Sequence, residues 1–232
     1  MATKPALADV NPIESVDITA VIAGRLRDLL GQGKFAPGEQ LTEASIAAAF
    51  QVSRGPVREA LKRLTEQGLL VSERNRGVFV PVLSDEDVRD IYRLRGAVES
   101  AALAELIRNP RPEVFSHLWE ILGRYRKCLL AQDWENADEL DLTFHRELVY
   151  ASGSRRLIHA FDTVVVETRM CMRYMLFGHV DHPDMDVWHS NILEAVERGD
   201  LDAANEALNF HNETVIADFT KRSAADADGP LI

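Results

Sequence analysis

Residues 53–70, SRGPVREALKRLTEQGLL, decide how the rest of the chain is read. Val57, Leu61 and Leu64 recur at helical spacing and make one apolar stripe, while Arg54, Arg58 and Lys62 recur every fourth residue along another. Ser53 stands as N-cap, Pro56 falls in the first turn, where its missing N–H costs little, and Gly68 ends the helix. The cations therefore face solvent or a partner. Taken alone, such a stripe also fits a solvated helix face, because charge pairs four residues apart are common on surface helices.

The flanks give the stripe its context. Upstream, residues 17–33, DITAVIAGRLRDLLGQG, carry apolar side chains at 18, 21, 22, 26, 29 and 30. That spacing predicts a helix capped by Asp17 and stopped at Gly31 or Gly33. FAPGEQ (35–40) is a turn, and TEASIAAAF (42–50) is a short helix capped by Thr42. Downstream the period changes to two, and LLVSERNRGVFVPV (69–82) predicts two strands around the tip ERNRG, where Gly77 lets the chain turn. Three helices and a hairpin, with a short turn between helices two and three, form a winged helix-turn-helix over 17–82.

In that motif the N-terminal part of the third helix enters the DNA major groove. Arg54 and Arg58 lie there, and Arg is the commonest bidentate reader of guanine. Lys62 and Arg63 lie further along, suited to phosphates. The amides of Ser53, Arg54 and Gly55 open at the helix N-terminus, where a phosphate can sit. Arg74 and Arg76 at the wing tip reach toward the neighbouring minor groove or backbone.

The whole chain of 232 residues nevertheless has a formal net charge of -11. Residues 17–82 hold nine Lys and Arg against seven Asp and Glu, about +2, which leaves about -12 on residues 83–232. Two units with different partners are implied. No apolar run approaches the roughly 18 residues a membrane span needs. The opening MATKPALADVNPIES lacks the apolar core of a secretory signal and reads as a flexible arm (1–16), and residues 223–232 read as a frayed tail. Cys128 and Cys171 fall in helical segments and carry no expectation of a disulfide, so the cytoplasm is the expected compartment.

Residues 83–222 read as helices only, near 85–109, 112–131, 134–151, 155–177, 184–198 and 202–221. Ser84, followed by Asp85, Glu86 and Asp87, starts the first of them. Six antiparallel helices predict a bundle, so the chain as a whole is mostly α. Asp141 and His145 in ELDLTFHREL share one helical face flanked by Leu142, Phe144 and Leu148, and so point inward. His189 and His211 lie on the last two helices, on either side of the break at Gly199-Asp200. Three inward helices can present these four side chains to one point, and three imidazoles with a carboxylate suit zinc, nickel or manganese. A lone inward His is more often a satisfied core residue, and an Asp–His pair four apart is often only a hydrogen bond. His179 and His182 fall in a loop, and His117 and His159 lack partners at ligand spacing.

Two resemblances extend this reading. FAPGEQLTEASIAAAFQVSRGPVREALKRLTEQGLL followed by RGVFV resembles the DNA-binding domain of the GntR family of bacterial transcription regulators. Gln51 stands where that family usually has Gly, and Gly55 where Thr is frequent. DEDVRDIYRLRGAVESAALAEL, DLTFHRELVYASGS and HSNILEAVERGDLDAANEALNFH resemble the FCD-type effector domain of the FadR subfamily. That resemblance implies a divalent metal on Asp141, His145, His189 and His211, with zinc the first expectation and nickel or manganese the alternatives. It also implies a small organic-acid effector whose carboxylate takes the open metal positions. Arg95, on the apolar stripe of its helix, is the candidate second anchor, and pairing with Glu99 is its plain alternative. Arg169 and Arg173 are weaker candidates. Ser154 replaces the Asn often found after SG, and Trp188 either lines the pocket or packs.

The expected protein is thus a DNA-binding regulator, a repressor by family habit, that binds a palindromic operator as a homodimer. The connection PVLSDED (81–87) is expected to carry changes in the metal pocket to the DNA-binding heads. The alternatives are a metalloenzyme on a small carboxylate, against which Asp138 and Glu147 offer no convincing general base, and an effector-independent regulator with a structural metal.

Overall fold

Local signals set the first six elements of the computed structural model, which describes residues 17–175 and 185–227. The side chain of Asp17 accepts from the Ala20 amide at 3.1 Å and opens α1, Ile18–Gly31. Strand β1, Gln40–Leu41, leads to α2, Glu43–Phe50, which Thr42 caps by accepting from the Ser45 amide. Gln51 turns the chain at φ 55°, the left-handed region where a glycine is usual and a side chain is strained. Helix α3, Arg54–Glu66, follows at once, then β2, Val71–Glu73, and β3, Gly77–Phe79.

The expected hairpin gains a third strand. The antiparallel sheet has the order β1-β3-β2, with Gln40 opposite Phe79 and Leu41 opposite Val78. A strand of two residues is too short to leave a period in the sequence. The wing turns through Gly77 at φ 114°, where a Cβ would lie 2.8 Å from Nε2 of Gln40. Val57, Ala60, Leu61 and Leu64 bury the inner face of α3 against Leu26, Ile46 and Leu70. Full burial of each Val or Leu contributes about 1.5–3 kcal/mol.

The second unit begins with a reciprocal cap. Ser84 accepts from the Asp87 amide at 3.2 Å, and the Asp87 carboxylate accepts from the Ser84 amide at 2.8 Å. Six helices follow: α4 Asp85–Arg108, α5 Pro112–Leu130, α6 Trp134–Ala151, α7 Arg155–Met175, α8 Met185–Glu197 and α9 Leu201–Ala227. Helix α4 is central, packed on α6, α7, α8 and α9. Helix α9 runs past the expected end at residue 221, because SAADA is rich in Ala, the best helix former. The expected arm 1–16, the loop with His179 and His182, and residues 228–232 of the expected tail lie outside the described residues. None of the described helices is long and apolar enough to cross a membrane.

The two units meet mainly through α7, not through the connection alone. Met170 is 2% exposed inside the head's core, while the next residue, Cys171, is 0% exposed inside the bundle's core. Val166 also packs on the head, and Leu83 of the connection touches both cores. Met170→Ala should therefore cost about 2–5 kcal/mol and separate the unfolding of head and bundle into two calorimetric transitions. A single transition with unchanged midpoint would show that this wedge does not join the units.

Candidate functional site

Two groups of side chains stand out, one on the head and one inside the bundle. On the head, Arg54, Arg58 and Lys62 lie exposed along the outer face of α3. Ser53 occupies the N-cap with extended backbone, but its side chain makes no capping bond, which leaves the first amides of α3 to other partners. Arg58 donates from Nε and NH2 to the two carboxylate oxygens of Glu43 at 2.7 and 2.9 Å. These hydrogen bonds lower the Glu43 carboxyl and raise the Arg58 guanidinium. Lys62 lies 3.8 Å from Glu66. In the wing, Arg74 is exposed, and Arg76 folds back to pair with Glu73 and to cover the Phe79 ring at 5.3 Å.

Inside the bundle, Asp141 and His145 from α6, His189 from α8 and His211 from α9 are all buried, and one ligand atom of each lies within 4.8 Å of the others. Oδ1 of Asp141 lies 2.8 Å from Nε2 of His189, which lies 3.2 Å from Nε2 of His145. Nδ1 of His189 lies 3.0 Å from the Met185 carbonyl, which can only accept, so Nδ1 carries a proton there, and Nε2 faces the Asp141 carboxylate. Nδ1 of His145 lies 3.1 Å from Oε1 of Glu99, within ion-pair reach though bent from a straight hydrogen bond. Neither ring nitrogen of the buried His211 has a hydrogen-bond partner among the described residues.

A carboxylate oxygen and two imidazole nitrogens thus converge in the core, beside a third imidazole whose nitrogens are both unsatisfied among the described residues. Such a cluster fits a divalent cation, and the N3O donor set is one that zinc favours. Burial raises the Asp141 carboxyl, but the hydrogen bond from Nε2 of His189, 2.8 Å away, and the neighbouring imidazoles outweigh it and hold the group well below the usual range. The Glu99 carboxylate, 3.1 Å from Nδ1 of His145, holds that ring in place. Sequence reasoning named Glu99 only as a partner for Arg95, since nothing in its spacing shows that it also reaches a ring 46 residues away.

Arg95 is 1% exposed and donates from Nε to Glu99 at 2.8 Å, so the pair expected as its plain alternative is present. Its NH2 has no hydrogen-bond partner among the described residues, and neither have Oε2 of Glu99, the Tyr125 hydroxyl or Oδ2 of Asp138. Tyr125 packs edge-on against His189 with ring centroids 5.1 Å apart. Burial, and then the Asp141 charge, push the Asp138 carboxyl up to about 7. Trp188 packs beside Phe210 and His211.

Comparison with known proteins divides the chain at the same place. Residues 18–80 match the family of bacterial regulatory proteins called gntR, and residues 90–214 match the FCD domain. The E. coli K12 HTH-type transcriptional repressor RspR is 31% identical over 183 residues, 78% of this chain and 79% of RspR. A crystal structure described as a transcriptional regulator GntR from Rhodococcus sp. RHA1 shares 32% identity and a TM-score of 0.74, over 89% of this chain and 99% of that one. The chain belongs to the gntR family. The E. coli McbR/YncC structure shares the fold at 21% identity, with a TM-score of 0.77 over 90% of this chain and 100% of its own. RspR and the Rhodococcus protein are described as transcription regulators, not enzymes.

Two expected anchors of this gntR-family regulator lie elsewhere. Arg169 and Arg173 make no contact with the Asp141 cluster among the described residues; they line the seam between head and bundle. Arg169 donates to Glu139 at 3.0 Å, and Arg173 lies 3.9 Å from both Glu135 and Glu139. Their stems run over Gly31 and Gly33 of the head, where a Cβ would come within 2.9 Å of Arg169 and 3.3 Å of Arg173. Arg169 and Arg173 share the head-facing side of α7 with Met170.

The cluster also sets a pH dependence. Burial, followed by the neighbouring imidazoles, holds His211 well below the ordinary value of 6.5, and burial followed by the Arg95 charge lowers His145. The unfolded chain therefore takes up protons first. The stability these rings contribute to the metal-free protein is present above pH 6.5 and lost as the pH falls below it. Denaturant titrations of chelator-stripped protein should show a midpoint falling below that pH, with a shallower fall for His211→Asn. A midpoint indifferent to pH across the imidazole range would contradict the buried, neutral cluster.

Proposed function

We propose that the chain is a cytoplasmic DNA-binding repressor that responds to a small organic acid through a metal held in its FCD domain. One observation carries the reading: one ligand atom each of Asp141, His145, His189 and His211 lie within 4.8 Å of one another, all buried, and His211 has no hydrogen-bond partner among the described residues. The same chain carries a cationic reading face on its head. Asp141, His145, His189 and His211 would hold a divalent ion, zinc first, with nickel or manganese as alternatives. Such an ion supplies Lewis acidity and open positions that a carboxylate can occupy. The unspent NH2 of Arg95 and the hydroxyl of Tyr125 are the groups suited to bind the rest of the anion.

On the head, Arg54 and Arg58 face bases, while Lys62 and the amides of Ser53, Arg54 and Gly55 face phosphate. Arg74 and Arg76 extend the wing, turned by Gly77, toward the neighbouring backbone. A homodimer would read two half-sites of a palindrome. Repression follows by likeness to RspR. Helix α6, which carries Asp141 and His145, also carries Glu135 and Glu139 on the seam arginines of α7. An effector regulates only by binding one arrangement of heads more tightly than the other, and this seam is where the arrangements would differ.

The test is operator binding by fluorescence anisotropy, on a duplex selected from a random pool, against sugar acids, hydroxy acids, dicarboxylates and amino acids. One class should shift the affinity, and its effect should vanish after chelation. At about 100 times Kd the same acid should stabilise the protein by about 2.7 kcal/mol. His189→Ala together with His211→Ala should abolish metal retention, and Arg95→Gln should weaken the acid at least tenfold with metal retained. A protein whose operator affinity ignores every carboxylate would contradict the effector half of this function.

A further inference from the structure

The pairing of Arg58 with Glu43 goes further than a surface ion pair. Glu43 is the first residue of α2, fixed behind the Thr42 cap and placed where the helix dipole favours a negative charge. Its carboxylate crosses the turn and takes one edge of the Arg58 guanidinium, the Nε–H and one hydrogen of NH2. Arg58 is still 66% exposed, and NH1 and the second hydrogen of NH2 have no partner among the described residues. The guanidinium is planar, so holding one edge fixes the direction of the other. The free edge is the fork that matches O6 and N7 of guanine.

The sign of the charge strengthens the point. A carboxylate on a face that meets phosphates weakens attraction to DNA of any sequence. Glu43 therefore trades general affinity for a fixed orientation of one arginine. We infer that Glu43 is a positioning residue that sets sequence specificity: it holds Arg58 side-on so that the free fork meets one guanine in each half-site. The inference rests on the DNA-reading function proposed above.

The test selects full-length wild type, Arg58→Ala, Glu43→Ala and Glu43→Gln against a pool of random duplexes, followed by anisotropy on the selected and a shuffled duplex. Arg58→Ala and Glu43→Ala should flatten the same base-pair position in each half-site and leave the others. Each should lower the selected-to-shuffled affinity ratio roughly tenfold, and the double variant should lower it no further. Glu43→Ala should bind the shuffled duplex as well as wild type or better, since a negative charge is gone. Glu43→Gln keeps one acceptor and should fall between. Preference retained by Glu43→Ala at the position Arg58 reads would overturn the inference. So would an equal loss at every position with a lowered melting temperature, which marks a scaffold residue. If wild type selects no sequence, or Arg58→Ala leaves the motif intact, the DNA-reading role of Arg58 itself fails, a result recognisable without the Glu43 variants.

Discussion

A carboxylate and three imidazoles facing one another away from water are a constraint that the rest of the bundle must answer. Buried polar atoms cost free energy unless each finds a partner. Here the partners on the outer side are supplied: the Met185 carbonyl for His189 and the Glu99 carboxylate for His145. Those outer contacts leave the inward nitrogens of His145 and His189 facing each other and Asp141. Three helices, α6, α8 and α9, are thereby committed to one point, and α4 closes the set through Arg95 and Glu99. His211 still leaves both ring nitrogens without a hydrogen-bond partner among the described residues.

The same helices explain how a bundle can speak to a head. Helix α7 presents successive side chains to different cores, Met170 to the head and Cys171 to the bundle. Arg169 and Arg173 flank that wedge and are held by Glu135 and Glu139 of the helix that bears Asp141 and His145. Their stems lie over Gly31 and Gly33, so the head approaches closely enough that a methyl group there would crowd them. Any shift of α6 would reach the head through three ion pairs to α7, the helix that also wedges Met170 into the head.

Much of this was legible in the chain. The α3 stripe, the Asp17, Thr42 and Ser84 caps and the six bundle helices follow from period and capping, which are local. The left-handed residue at Gln51 was legible as a departure from Gly. The four cluster residues were legible because Asp141 and His145 share a face and the two later histidines sit on adjacent helices. Strand β1 was not, because two residues carry no period. The place of Arg169 and Arg173 was not, because amphipathicity shows that a helix has an inner face but not which core that face meets. The second contact of Glu99 and the grip of Glu43 on Arg58 were hidden for a related reason: each depends on how neighbouring helices cross.

Anomalous diffraction from crystals of the protein purified without chelator, recorded on either side of the absorption edge of the metal it carries, tests the buried cluster most directly. The expected result is one strong peak per chain within coordinating distance of Asp141, His145, His189 and His211. A peak at another place, or a fully refined cluster with no peak after growth in excess zinc, nickel and manganese, would contradict it.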